Sequence, residues 1–213
     1  MLELIQAVPF AFGALFPVVN PIGSSVIFLS IADGSSPSQL NKLSSQIAVY
    51  MTIMLIVVLF AGSWILRLFG ITIPIVLIGG GFVLAHIGWQ LLNKPDAPTA
   101  NHLVPVEMNA NIQQMVFYPL TMPVTAGPGC IAVAIALGAH SIRSSVASTM
   151  LSQLGNSIGI LLVGITVFVC YRYAYAITSK LGRSGTEVIM RLAAFINLCI
   201  GLELMWHGMT YLK

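Results

Sequence analysis

Long apolar runs recur along this chain, separated by short polar stretches. A helix needs about 20 predominantly apolar residues to cross the hydrocarbon core of a bilayer. Six segments qualify: 5–31, 47–68, 72–92, 112–138, 151–173 and 188–212. Their apolar character is continuous, not alternating, which excludes a membrane β-barrel. The connections read as polar loops: Asp33–Ser45, a tight turn near Arg67–Gly70, Asn93–Asn111, His140–Thr149 and Ala174–Glu187. Loop 93–111 carries Pro95, Pro98 and Pro105 and reads as a linker. It divides a single transmembrane domain, 1–213, into halves 1–95 and 110–213. The expected class is an all-α integral membrane protein.

Composition sharpens this picture. The chain has 213 residues, 57% hydrophobic and only 7% charged, with a mean hydropathy of +0.94. A soluble domain carries about 25% charged residues. A water-facing surface cannot be covered at this level, so a soluble enzyme and a disordered chain are excluded. The net charge of +3 comes from scattered basic residues without a stripe, which argues against a nucleic-acid partner. The lipid bilayer is the partner the composition demands; oligomeric state stays open. Cys130, Cys170 and Cys199 lie in apolar stretches without metal-ligand spacing and read as small buried hydrophobes. No metal or cofactor is expected. The N-terminus lacks a basic region before its apolar run, so that run reads as a span and not as a signal peptide.

Loop charges orient the spans. Lys42, Lys94, Arg172, Lys180, Arg183 and Arg191 fall on one side, and Arg67, Arg143 and Lys213 on the other. The positive-inside rule puts the first set in the cytoplasm and both termini outside. Tyr171, Tyr173, Tyr175 and Trp64 lie beside arginines and read as interfacial anchors.

An internal repeat carries more information. Phe16–Gly23, FPVVNPIG, aligns without a gap with Met122–Gly129, MPVTAGPG, so Pro17 meets Pro123 and Gly23 meets Gly129. Ile87–Leu91 aligns with Ile200–Leu204, and Phe82 with Phe195. Each half holds three spans, so the second half enters the membrane inverted. Inverted halves with Gly/Pro-broken helices at matching places point to a secondary transporter. Six helices as two inverted three-helix repeats, with the first and fourth discontinuous, is the predicted architecture.

The breaks have a chemistry of their own. Proline removes a backbone donor and clashes with the preceding turn. Backbone groups freed inside a membrane must line a protein cavity or be re-satisfied internally. A half-helix N-terminus presents N–H donors to a carboxylate, and unwound carbonyls suit an ammonium. Two breaks facing each other suit a small zwitterion. The candidate substrate-binding residues are Asn20, Pro21, Gly23 and Ser24 in the first half and Thr125, Ala126, Gly127, Pro128 and Gly129 in the second. The bland alternative is that each proline only kinks its helix. Ser24, Ser25, Thr121 and Thr125 also have backbone carbonyls of their own helices within reach. Gly79–Gly81, Gly155 and Gly159 read as helix-packing positions.

The stretch Phe117–Gly129, FYPLTMPVTAGPG, resembles the signature of the MarC family, and Asn20-Pro21-Ile22-Gly23 resembles that family's first-half motif. Length, six spans and the long central loop are similar too. The resemblance implies a bacterial or archaeal inner-membrane protein, with SnatA-like members moving glycine, alanine and other small neutral amino acids. It also implies a site at the two broken helices. The chain departs from the pattern at Ser24-Ser25-Val26, where relatives often carry proline, at Cys130, where alanine is common, and at Ala194, where glycine is expected. It departs again at Glu203, where an uncharged residue is common.

An ionisable residue within a span is a functional hypothesis by default. Glu203 is the candidate for proton coupling; the alternative is structural pairing with His207, one turn on. His86 reads as an interhelical hydrogen-bonder, and Asn156 and Asn197 as polar residues of either kind, Asn197 being a candidate to line the cavity. The leading function is a carrier of small neutral amino acids by alternating access. The alternatives are an exporter of other metabolites, or a channel or non-transporting scaffold. No Ser/His pair, HExxH or P-loop supports an enzyme or an ATP-driven pump.

Overall fold

The computed structural model describes residues 2–32, 34–93, 115–141 and 145–211, with the side chains of Leu2, Ser63 and Arg183 excepted. Every regular element among them is helical. In order they are α1 (Leu2–Val19), α2 (Pro21–Ile31), α3 (Pro37–Leu68) and α4 (Ile73–Leu92), then a wide-turned segment, Val116–Thr125, followed by α5 (Pro128–His140), α6 (Val146–Arg172) and α7 (Ala174–Thr210). Five helical stretches are long and apolar enough to cross a membrane, six when the bent pair Val116–Thr125 and Pro128–His140 counts as one span. The fold is an all-α integral membrane protein whose first and fourth spans are discontinuous. Asp33, loop 94–111 with its three prolines, Arg143 and Lys213 lie outside the described residues.

Three stretches read as loops are partly helical. α3 starts at Pro37, ten residues before the apolar run, because Ser36 and Gln39 form a capping box and proline sits at the first helical position. The Ser36 hydroxyl accepts from the Gln39 N–H at 3.3 Å, and the Gln39 side chain accepts from the Ser36 N–H at 2.8 Å. α6 starts at Val146, inside the stretch His140–Thr149. The stretch Ala174–Glu187 is the first part of α7, interrupted at Gly182 with φ 64°. Polar residues form these turns, so apolar run length does not reveal them.

Close packing preserves the repeat. A Cβ on Gly88 would lie 2.7 Å from both the Ala194 carbonyl oxygen and the Leu198 nitrogen; one on Gly201 would lie 2.6 Å from the Gly81 carbonyl and against the Ala85 nitrogen. The register that pairs Gly88 with Gly201 also pairs Gly81 with Ala194 and Ala85 with Leu198. The two contacts are therefore one contact seen from both halves, as a two-fold between α4 and α7 requires. Small residues at these positions let the two backbones approach. Elsewhere α1 packs on α6, and α5 packs on α3. When the halves are swapped, the first contact exchanges with that of segment 116–125 on α3, and the second with that of α2 on α6. Of the glycine run in α4, Gly80 and Gly81 are packed, whereas Gly79 has nothing within 4 Å.

Two side-chain contacts tie helix ends together. The Arg172 guanidinium donates to Asn41 at 2.8 Å, joining α6 to the start of α3 beside Lys42. The His140 and Tyr211 side chains meet at 3.3 Å, joining the other ends of α5 and α7.

Candidate functional site

The two breaks are built differently. In the first, Asn20 takes the left-handed conformation, φ 48° and ψ 62°, and its side chain accepts from the Gly23 N–H at 3.1 Å. Asparagine tolerates this region better than most side chains because its short amide bonds locally. Pro21 has no N–H, so the Pro17 carbonyl loses its usual partner in the next turn. The chain then continues as α2, and α1 and α2 together make one span of 29 residues, Glu3–Ile31.

The second break is longer and sharper. Residues 118–125 fall into two tetrapeptides, Tyr-Pro-Leu-Thr and Met-Pro-Val-Thr. Tyr118 and Met122 have nearly identical extended dihedrals, and the Tyr118–Pro119 and Met122–Pro123 peptides are cis. Leu120 N–H reaches the Met115 carbonyl at 3.1 Å, and Ala126 N–H the Thr121 carbonyl at 2.9 Å, each five residues back. The threonine hydroxyls follow the same spacing: Thr121 donates to the Val116 carbonyl and Thr125 to the Leu120 carbonyl, both at 2.7 Å. The chain then turns by 71° into α5. Gly127 caps α5 without any side-chain bond, and Pro128 stands in its first turn.

The two breaks meet. The Ser24 hydroxyl contacts the Val19 carbonyl at 2.9 Å and, across the halves, the Val124 carbonyl at 3.4 Å. The Thr125 and Tyr171 hydroxyls lie 2.7 Å apart. Ser24 also interacts with the Tyr171 hydroxyl, and the Tyr171 ring stacks on Phe28 at 4.6 Å. Ser24, Thr125 and Tyr171 are all buried, at 5%, 1% and 1% exposure, so this polar cluster sits within the apolar core. Buried hydroxyls are retained when each finds partners, and these do.

Several expectations change here. Tyr171 is not an interfacial anchor; it is fully buried and joins α6 to both breaks, while Tyr173 and Tyr175 are exposed. Next to Arg172, a helix-end tyrosine reads as an anchor; the break hydroxyls that draw it inward come from other spans. Cys199 is exposed, unlike Cys130 and Cys170. His86 bonds Gln90 within its own helix, at 2.8 Å, and not across helices.

The glycines are not open walls. Neither Gly23 nor Gly129 has positive φ; the left-handed residue is Asn20. A Cβ on Gly23 would collide with the Asn20 side chain, so this glycine makes room for the cap. A Cβ on Gly129 would press on Leu84 of α4 at 3.2–3.4 Å. Gly155 and Gly159 pack on α1, with Cβ positions 2.7 Å from the Ala7 and Ala11 Cβ atoms. Ala126 is fully buried, Asn20 and Gly127 half-buried, and Pro128 exposed.

Glu203 lies elsewhere. Its carboxylate meets the His207 Nδ1 at 3.1 Å on the exposed face of α7. It borders an open groove of about 500 Å³ lined with Ile78, Leu202, Trp206 and Met209 among others, none of them a break residue. Among the described residues no group of three or more His, Cys, Asp or Glu stands together to hold a metal ion.

Comparison with known proteins bears on the whole chain. The family model described as "MarC family integral membrane protein" matches residues 5–212. The inner membrane protein MarC of Escherichia coli O1:K1 is 31% identical over 215 aligned residues, covering 98% of this chain and 96% of that protein. The proteins of the same name from E. coli K12 and Shigella flexneri match with the same identity and coverage. No solved structure is significantly similar to the chain.

Proposed function

We propose that this chain, which belongs to the MarC family of integral membrane proteins, is a secondary transporter of small neutral amino acids of the glycine and alanine kind. It works by alternating access in the inner membrane of a bacterium or archaeon. The observation that carries this reading is the hydrogen bond from Ser24 of the first break to the Val124 carbonyl of the second. A weak bond of 3.4 Å between two inverted halves, at the place where both helices lose their regular bonding, suits a centre about which the halves rock. The side-chain-free start of α5 supplies N–H groups for a carboxylate. The zwitterion then lies between Asn20–Ser24 and Thr125–Gly129.

Radiolabelled glycine and L-alanine uptake into proteoliposomes tests the reading, with and without a proton gradient and against a panel of competing amino acids. Saturable uptake with exchange is expected. Non-saturating flux identifies a channel, and absence of flux for the whole panel removes the amino-acid assignment. Glu203 remains the candidate for coupling, but its exposed pairing with His207, apart from the breaks, supports the structural role. Glu203→Gln is therefore expected to keep gradient-driven accumulation; its loss, with exchange intact, assigns the proton to Glu203.

A further inference from the structure

The two-fold relation of the halves makes an unmatched polar face stand out. In the register that pairs Gly23 with Gly129, Asn20 pairs with Ala126 and Ser24 with Cys130. In the register that pairs Gly88 with Gly201, Asn197 pairs with Leu84. On the second-break side the three positions are therefore apolar, and Leu84 lies directly against Gly129. Swapping the halves puts Asn197 of α7 opposite Gly23, and α7 does pack against α2. On the first-break side all three positions carry hydrogen-bonding side chains.

Asn197 is the informative member. It is 6% exposed, and its Oδ1 is buried without a hydrogen-bond partner among the described residues. Asn156, the comparably buried asparagine of α6, shows the ordinary arrangement: its amide donates to the Ser141 hydroxyl at 2.8 Å and the Leu137 carbonyl at 3.3 Å. A buried amide oxygen left unpaired costs stability, and the equivalent place in α4 holds a leucine.

We infer that Asn197 is a substrate-binding residue, its Oδ1 accepting from the ammonium group of a small zwitterion held at the first break. The assignment rests on the amino-acid carrier reading and deepens it. The substrate's donor end meets the polar side, Asn20, Ser24 and Asn197. Its carboxylate meets the start of α5, and its side chain meets the apolar counterparts Leu84, Ala126 and Cys130. The site is thereby directional although the scaffold is two-fold, and bulk at the apolar side limits the side chain it takes.

The test compares wild type with Asn197→Leu and Asn197→Ser, purified and titrated with L-alanine, reading the melting temperature at each concentration. Asn197→Leu should melt at or above the wild-type temperature without ligand. Its apparent affinity for L-alanine should fall about tenfold or more, the cost of an unpaired donor. Asn197→Ser, which keeps an acceptor, should fall between. If Asn197→Leu is too unstable to purify, Asn197→Ala removes the same oxygen with less bulk and gives the same reading. Variants that bind L-alanine as wild type does overturn the assignment of Asn197 while leaving the carrier reading intact. A wild-type protein stabilised by none of glycine, L-alanine or L-serine overturns the carrier reading, and this assignment with it.

Discussion

Asn20 sets the first break through two separable properties. It holds the left-handed backbone, and its side chain satisfies the Gly23 N–H. Glycine keeps the first property and loses the second, whereas alanine loses both. Asn20→Gly is expected to cost a few tenths of a kcal/mol and Asn20→Ala about 1–2 kcal/mol. Denaturation of the purified variants in one detergent checks the order; equal stability of the two would contradict the capping account. Gly23 and Gly129, equivalent in the repeat, should respond differently to valine. Gly23→Val drives the Asn20 cap out and should lower stability as well as L-alanine binding. At Gly129 the nearest atoms to a Cβ belong to the Leu84 side chain, at 3.2–3.4 Å, so Gly129→Val should fold nearly as well as wild type while L-alanine stabilisation is lost. Thermal shift with and without L-alanine separates the two effects.

Between elements, the close helix crossings determine which substitutions the fold tolerates. At Gly155 a Cβ meets the Ala7 Cβ at 2.7 Å and the Leu4 carbonyl at 3.0 Å, so valine must push α6 away from α1. Overpacking of this kind costs about 1–3 kcal/mol. Gly79 lies on the open face of α4 with nothing within 4 Å. Gly155→Val should thus lower the melting temperature by several degrees, and Gly79→Ala should leave it unchanged or raised, since alanine is the better helix former. A tolerated Gly155→Val would mean that α1 and α6 are not held at this distance.

For the whole molecule, the two ends are distinguishable by charge and by contact. Asn41 and Arg172 join at the end that carries Lys42, and His140 and Tyr211 join at the opposite end. The positive-inside rule predicts that the first end is cytoplasmic and, with it, that both termini are outside. Single cysteines at Lys42 and Lys180, in a background without the native cysteines, should resist a membrane-impermeant reagent in whole cells and react after permeabilisation. Rapid labelling of either in intact cells would reverse the orientation.

Spans, breaks and the inverted repeat were readable from residue order, because hydropathy, proline and glycine act on the chain within a turn or two of themselves. The capping box at Ser36–Gln39 was equally local and marks the start of α3 ahead of its apolar run. Pro17, Pro21, Pro123 and Pro128 announce broken helices without saying how each break is satisfied. The left-handed Asn20, the wide turns of 116–125 and the contact of Ser24 with Val124 depend on which carbonyls the other half presents. Tyr171 shows the same limit: beside Arg172 its sequence environment suits an anchor, and only the packing of α6 against α2 and the second break takes its hydroxyl to Thr125. In sequence, Asn197 is a polar residue of either kind. Its missing partner is a property of the assembled helices, since hydrogen-bond satisfaction in a membrane core is decided between spans and not along them.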